Sequence, residues 1–293
     1  MQEYIRILGE GYQGYLNYLI SEILYPSWNN YFWWLVAISL FVWGLELVFP
    51  WRKDQAAIRK DFWLDVFYMF FNFFLFSLIG YNAISNVAVE AFSDFLRWIG
   101  IENLVALEVS SWPIWTQFVL MFVLADFIQW NVHRWLHFNP WLWEFHKVHH
   151  SVEEMGFAAH LRFHWMETVI YKAVQYIPLA MIGFGLSDFF VLHMVTILIG
   201  HLNHANLKLT YGPLKYVLNN PVMHLWHHAK QVPEGSKGIN FGISLSLWDY
   251  LFGTAYLPNQ NEHEPLGFDQ VEAFPKTLWQ QITYPWSKKN KAS

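Results

Sequence analysis

Apolar stretches alternate with polar ones along this chain at lengths that suit a bilayer. Tyr31 to Phe49 is apolar except for Glu46, and Phe62 to Tyr81 is apolar while tolerating Asp65 and Asn72. A third run covers Trp112 to Val132. At ~1.5 Å of rise per residue, each is long enough to cross hydrocarbon as a helix. Between the second and third runs, Asn82 to Ser111 is acidic on balance, with Glu90, Asp94, Glu102 and Glu108 against Arg97. Within it, Ala83 to Ile99 repeats apolar residues at helical spacing, which predicts a helix lying in the outer interface. From Met166 to His204 two more apolar runs meet at Gly183-Phe184-Gly185-Leu186-Ser187-Asp188, a natural tight turn, so a membrane hairpin is expected there.

The pattern predicts an all-α, multispanning helical membrane protein in one integral domain. Residues 1–30 form an N-terminal interfacial segment, 31–132 hold three transmembrane helices and the outer helix, and 133–258 carry the chemistry around the hairpin at about 166–204. A polar tail covers 259–293. The composition agrees, because 55% hydrophobic and 20% aromatic content is high for a soluble domain. Arg52, Lys53, Arg59 and Lys60 crowd the loop between the first two spans, which places that loop in the cytoplasm. Trp28, Trp33, Trp34, Trp51, Trp112, Trp115, Trp141 and Trp143 lie near span ends, as interfacial belts require. The expected location is a bacterial inner membrane or the endoplasmic reticulum.

Several function classes drop out. A net charge of -5 offers no nucleic-acid surface, and the absence of cysteine excludes disulfides, thiolate zinc and iron–sulfur ligation. Met1 to Ser21 mixes acids with Arg6 and reads as no removable signal peptide. Gly9-Glu10-Gly11-Tyr12-Gln13-Gly14 fits a dinucleotide fingerprint, but a tryptophan-rich span follows it instead of a βαβ unit. Lys288, Lys289 and Lys291 read as a solvated basic tail.

Thirteen of the fourteen histidines fall between His133 and His228. Most stand in three groups: His133/His137, His146/His149/His150 and His224/His227/His228. Spacings of three and four residues put each group on one helical face, so several imidazoles point at one spot. The donors outnumber what one four-coordinate ion can use, and the economical reading is two metal ions held by histidine. The positive-inside topology places every cluster on the cytoplasmic face, forming a histidine-rich helical cap.

His133-Arg134-Trp135-Leu136-His137, His146-Lys147-Val148-His149-His150 and His224-Leu225-Trp226-His227-His228 resemble the sterol desaturase and fatty acid hydroxylase superfamily. The likeness extends through Arg162-Phe163-His164, His204-Ala205-Asn206, Asn240-Phe241-Gly242 and Trp248 to Thr254, covering roughly residues 115 to 258, and is nearest the sterol desaturase and alkylglycerol monooxygenase branch. The resemblance implies a di-iron centre of two Fe2+ ions that uses O2 and two electrons to hydroxylate or desaturate a lipid C–H bond. It implies an external donor, of cytochrome b5 or ferredoxin type with a reductase. It carries the ligand role to His133, His137, His146, His149, His150, His224, His227 and His228, with His204 and His201 as a further group. His201 and His204 are three apart, where the superfamily more often has two histidines four apart.

Around these, His160, His164, Arg162, Asp126, Asn240 and Asp249 are candidate partners that orient ligand rings. Glu46, Asp65, Asn72 and Glu167 read as polar groups satisfying one another inside the bundle, while His193 and His263 read as isolated. Two rival classes share the histidine richness. A metal transporter would place its ligands near the membrane midplane, and a zinc-dependent membrane hydrolase would want a His-Glu-x-x-His pattern that does not occur here.

Overall fold

The computed structural model describes residues 2–100, 109–182, 186–258 and 265–286. Among these the chain is helical, with two isolated antiparallel bridges, Leu218 to Leu245 and Ala229 to Leu266. Helix α1 (Gln2–Leu24) leads into α2 (Tyr31–Val48). Asn30 starts α2 by accepting a hydrogen bond from the Trp33 amide, while its own amide donates to the Glu22 carbonyl and ties the two helices together. Helix α3 (Phe62–Phe70) continues through two π-helical turns, Phe71–Leu75 and Ser77–Tyr81, into α4 (Asn82–Trp98). Helix α1 lies along α4, with the Tyr12 hydroxyl donating to the Ile79 carbonyl at 2.9 Å.

Among the described residues, two helical stretches are long and apolar enough to cross a membrane: α2 and Phe62–Trp98, of 37 residues. Only 17% of the α2 span is buried in the protein, and Leu40, Phe41, Leu47, Val48 and Phe49 face outward. So large an apolar face is stable when lipid covers it. The span expected at 62–81 and the interfacial helix expected after it follow one another directly: two π-helical turns carry α3 to a kink at Gly80, whose backbone is not helical, and α4 begins just beyond it. Helix α5 (Ile114–Phe138) begins where the third span was expected but is less apolar than those two, carrying Asp126, Gln129, His133 and Arg134 toward the interior of the protein. The expected hairpin corresponds to α7 (Trp165–Met181) and α8 (Leu186–His204), and residues 183–185 of its turn lie outside the described residues.

The polar residues inside the spans do not satisfy one another. Asp65, fully buried, receives Arg59 Nη2 on one oxygen and Arg162 Nη1 on the other, and Arg162 also reaches Asp61 and the Ser151 hydroxyl. One oxygen of Glu46 accepts the amides of both Phe157 and Asn206, and the Asn72 amide donates to the Leu161 and Phe163 carbonyls. Each of these side chains reaches out of its span to pin the segment 151–163 or the chain just past α8, which places those segments against the first two spans. Removing one partner of a buried ion pair leaves the other charge unmatched, at a cost of about 3–5 kcal/mol. Asp65→Ala is therefore expected to destabilise the protein by that amount, read as a lowered thermal midpoint in detergent with Asp65→Asn intermediate.

Candidate metal centre

Both clusters of the form His-x-x-His-His ride on short helices opened by an Asn-Pro pair. Asn139 caps α6 (Pro140–His150) by accepting the amides of Trp141 and Leu142, and Asn220 caps α9 (Pro221–His227) by accepting that of Met223. Proline at the first helical position has no amide to orphan there, and the residue before it is held extended. The break at Asn139 turns α6 back against α5, so His146 and His150 face His133 and His137.

The imidazoles gather into two groups. His133, His137, His146, His150 and His227 bring one ring nitrogen each within 4.8 Å of one another, and His149, His204, His224 and His228 do the same. All except His137 are buried. Residues 133 to 150 and 224 to 228, remote along the chain, thus interleave: His227 joins the first group and His149 the second.

The hydrogen bonds on the far side of each ring decide what these groups are for. His133 Nδ1 donates to the Phe241 carbonyl at 2.7 Å, His227 Nδ1 to Ile239 at 2.8 Å, His149 Nδ1 to Arg162 at 3.0 Å and His204 Nδ1 to Gly200 at 2.8 Å. His146 Nδ1 donates to Glu167 Oε2 at 2.8 Å. In a neutral imidazole only one nitrogen carries a proton, so each of these rings presents a bare Nε2 lone pair inward. Yet His133 Nε2 and His146 Nε2 lie 3.1 Å apart, and His149 Nε2 and His204 Nε2 3.4 Å. Two acceptors that close repel unless a cation lies between them. Two ligands at ~2.0–2.1 Å from one ion, at angles between square and tetrahedral, are separated by about this much. His137 Nε2 is buried with no hydrogen-bond partner, a further donor atom the fold leaves for an ion.

Burial keeps the rings neutral. It pushes His133 down to about 4 and His149 down to about 3, and it lowers His146, His150, His224, His227 and His228 well below the ordinary 6.5, helped by repulsion among the neighbouring rings. The residues present therefore fit a pair of metal ions held by imidazole alone.

Comparison with known proteins agrees with this geometry. Residues 118–254 match the family model described as fatty acid hydroxylase. That match covers somewhat under half of the chain, so the similarity to this family is carried by the histidine-bearing part. The chain is similar to the ornithine lipid hydroxylase OlsE of Rhizobium tropici, at 36% identity over 62% of this chain and 54% of that protein. It also resembles an alkylglycerol monooxygenase of Caenorhabditis elegans, at 30% identity over 56% of this chain and 32% of that protein. Methylsterol monooxygenase 1-1 of Arabidopsis thaliana matches at 24% identity over 60% of this chain and 54% of the relative. The chain thus spans about half the length of the curated relatives, or less. No solved structure matches.

The Asn240-Phe241-Gly242 stretch is a buried platform for the first group. Asn240 adopts a left-handed backbone and holds the main chain of Met223 and Tyr256. Gly242 has no room for a side chain, since a Cβ there would sit 2.3 Å from the Leu245 carbonyl. Asp249 accepts the amides of Phe241 and Gly242, the Trp130 indole and the Thr254 hydroxyl, so it sets the carbonyl that holds His133 without touching a ligand ring. Asp126 works one step further along, accepting the Ser244 amide and the Trp248 indole. Arg162 holds His149 through its main chain and leaves its side chain to the buried ion pair.

Three histidines stand elsewhere than the sequence suggests. His201 lies outside both groups: its Nε2 faces the Ser39 hydroxyl at 3.0 Å and its Nδ1 faces His160 Nδ1 at 2.9 Å. Ser39 donates to the Met69 sulfur, so its oxygen accepts from His201 Nε2. His201 Nδ1 then accepts from His160 Nδ1, which leaves His160 Nε2 without a proton. The His160 ring occupies the space over Gly200 that a side chain there would fill. Gly200 is four residues before His204 on the same face, where the superfamily more often has a histidine. His164 is fully engaged by protein, Nδ1 accepting the Met166 amide and Nε2 donating to the Ile282 carbonyl. Glu167, read from sequence as a bundle-satisfying acid, is instead the carboxylate that orients His146; its place three residues after His164 and at the start of an apolar helix gave no hint of that partner.

Removing such an oriented carboxylate costs about 10- to 100-fold in metal affinity. Glu167→Ala is expected to weaken metal binding by that factor in competition with a chelator, with the secondary structure unchanged. A second expectation concerns pH. The metal-free folded state resists protonation of His133 and His149, whereas the unfolded chain takes up protons near 6.5, so stability is full above that pH and is lost as pH falls toward about 4 and about 3. The thermal midpoint of chelated protein should fall steadily across that window.

Proposed function

We propose that this protein is a membrane-bound di-iron oxygenase that inserts one atom of O2 into an unactivated C–H bond of a lipid. The observation that carries the reading is the pair of buried imidazole groups, with bare nitrogens facing one another, at the floor of a cavity of about 590 Å³. His133, His146, His149 and His204 form that floor, and Tyr31, Phe73, Phe74 and Ile197 line its walls among the apolar helices. A lipid chain can enter such a cavity from the bilayer without crossing water.

Two iron ions held by the nine histidines would supply the redox chemistry, in which substrate, O2, two electrons and two protons give the hydroxylated lipid and water. The protein's part is to position and to exclude. Five rings are locked by their Nδ1 hydrogen bonds, so the inward nitrogens keep their lone pairs. Burial of the ligands keeps water from the centre. The electrons come from an external donor, since this sequence has no cysteine to hold an iron–sulfur cluster and its described residues build no nucleotide-binding fold.

The cytoplasmic orientation of the centre is supported by the basic loop. Lys60 pairs with Glu153, and the Arg52 amide donates to Asn206, so the loop that the positive-inside rule assigns to the cytoplasm packs against the histidine-bearing segments. The apolar stretches of α2 and of α3 with its π-helical turns, the pairing of α1 with α4 and the α7–α8 hairpin support a multispanning topology.

Metal analysis and lipidomics test this together. Purified protein is expected to hold two iron per chain, and cells expressing it under 18O2 should accumulate a lipid heavier by one labelled oxygen. His149→Ala and His227→Ala, one from each group, should each lose bound iron and all turnover. Full metal content with full activity in both variants would overturn the assignment, as would zinc with a hydrolysed ester.

A further inference from the structure

The cavity above the imidazoles is mostly apolar but carries several polar groups. Tyr15, Tyr18, Ser77, Thr168, Tyr171 and Gln175 contribute to its lining, and one lysine, Lys172, does too. Lys172 is the sole Lys or Arg among the lining residues. Its half-buried ammonium has the face of the Tyr81 ring 4.8 Å away and, among the described residues, no carboxylate or hydrogen-bond acceptor. The single carboxylate of the lining, Glu167, is already committed to His146.

A cation in an apolar setting without a counterion is costly and marks a place where a charge is meant to arrive. The aromatic face stabilises the ammonium but neutralises nothing. The two fully buried cations near the site, Arg59 and Arg162, share Asp65, while the half-buried Arg52 and Arg134 lie outside the cavity lining. Lys172 alone points its charge into the cavity that substrate must occupy.

Building on the oxygenase reading above, we propose that Lys172 is the anchor for an anionic group, a carboxylate or a phosphate, on the lipid substrate, and that it thereby sets which carbon is oxidised. Glu167, which touches a ligand ring, and Lys172 both line the cavity on α7, five residues apart. Five residues advance a helix by about 7.5 Å. An anion on Lys172 therefore holds the reacting carbon toward the charged end of the lipid, with the rest of the acyl chain directed away along Phe73, Phe74 and Ile197.

The test uses metal-loaded protein in neutral phosphatidylcholine nanodiscs. Four probes of matched chain are oleate and oleoyl-lysophosphatidic acid as anions, oleyl alcohol and mono-oleoylglycerol as neutral counterparts. Wild type should bind at least one anionic probe about 10- to 100-fold tighter than its neutral counterpart, the range of a hydrogen bond to a charged group. Oleate alone tightening would name a carboxylate, and lysophosphatidic acid alone a phosphate. Lys172→Gln should abolish the preference while keeping the iron content, and Lys172→Arg should retain part of it. Equal binding of anionic and neutral probes by wild type, or a preference that survives Lys172→Gln, overturns the anchor. Because binding is read without turnover, an anionic preference in a protein that oxidises nothing would sink the oxygenase reading and leave the anchor standing. Where product forms, the new oxygen should lie nearer the charged end of the lipid than its methyl terminus; oxidation at the terminus overturns the positioning role.

Discussion

The structure depends on a set of hydrogen bonds that point away from the site they serve. Four backbone carbonyls and one carboxylate take the Nδ1 protons of His133, His227, His149, His204 and His146, and in doing so choose the tautomer of each ring. Without that choice a cluster of neutral imidazoles would pair internally, N–H to N, and satisfy itself with no ion. With it, nitrogens that cannot share a proton are held at 3.1 and 3.4 Å, and the fold carries a repulsion that only a cation relieves. Much of the remaining polar interior places those carbonyls: Asp249 and Asp126 set the loop behind His133, and Asp65, Glu46 and Asn72 set the segment behind His149.

The ligand clusters were legible because helical spacing converts directly into a shared face, and His-x-x-His-His on a capped helix leaves little freedom. The assortment of rings was not. Which of His146, His149 and His150 joins which group depends on the crossing of α6 with α5, α8 and α9, a long-range property that no local period encodes. The same limit explains His201 and His160. Two histidines three apart at the end of α8 look alike in sequence, yet Ser39, more than a hundred and fifty residues away, claims one of them, and Gly200 admits His160 from a different segment.

The spans were read from apolar length, which locates α2 and the start of α3 well. The π-helical turns at Phe71–Leu75 and Ser77–Tyr81 escaped notice, because they depend on how side chains pack and not on composition. They are where Phe73, Phe74, Ser77 and Tyr81 enter the cavity wall, so an irregularity in the helix and the shape of the cavity have one cause. Glu167 shows the reverse error. An acid within an apolar run suggests a partner within the bundle, whereas Glu167 reaches out of it to a ligand ring on α6; Asp126 acts on His133 through intervening groups, as its place on the same helical face suggests.

The loop from Gly238 to Gly242 gives up two of its carbonyls, those of Ile239 and Phe241, to two rings of one group, His227 on α9 and His133 on α5. A single short stretch thus acts as a clasp across helices drawn from distant parts of the chain. While it is seated, both rings are aimed; if it lifts, both are free to rotate and swap protons in the same event. The aim of both rings on that side therefore depends on one buried stretch of main chain, itself held by the carboxylate of Asp249.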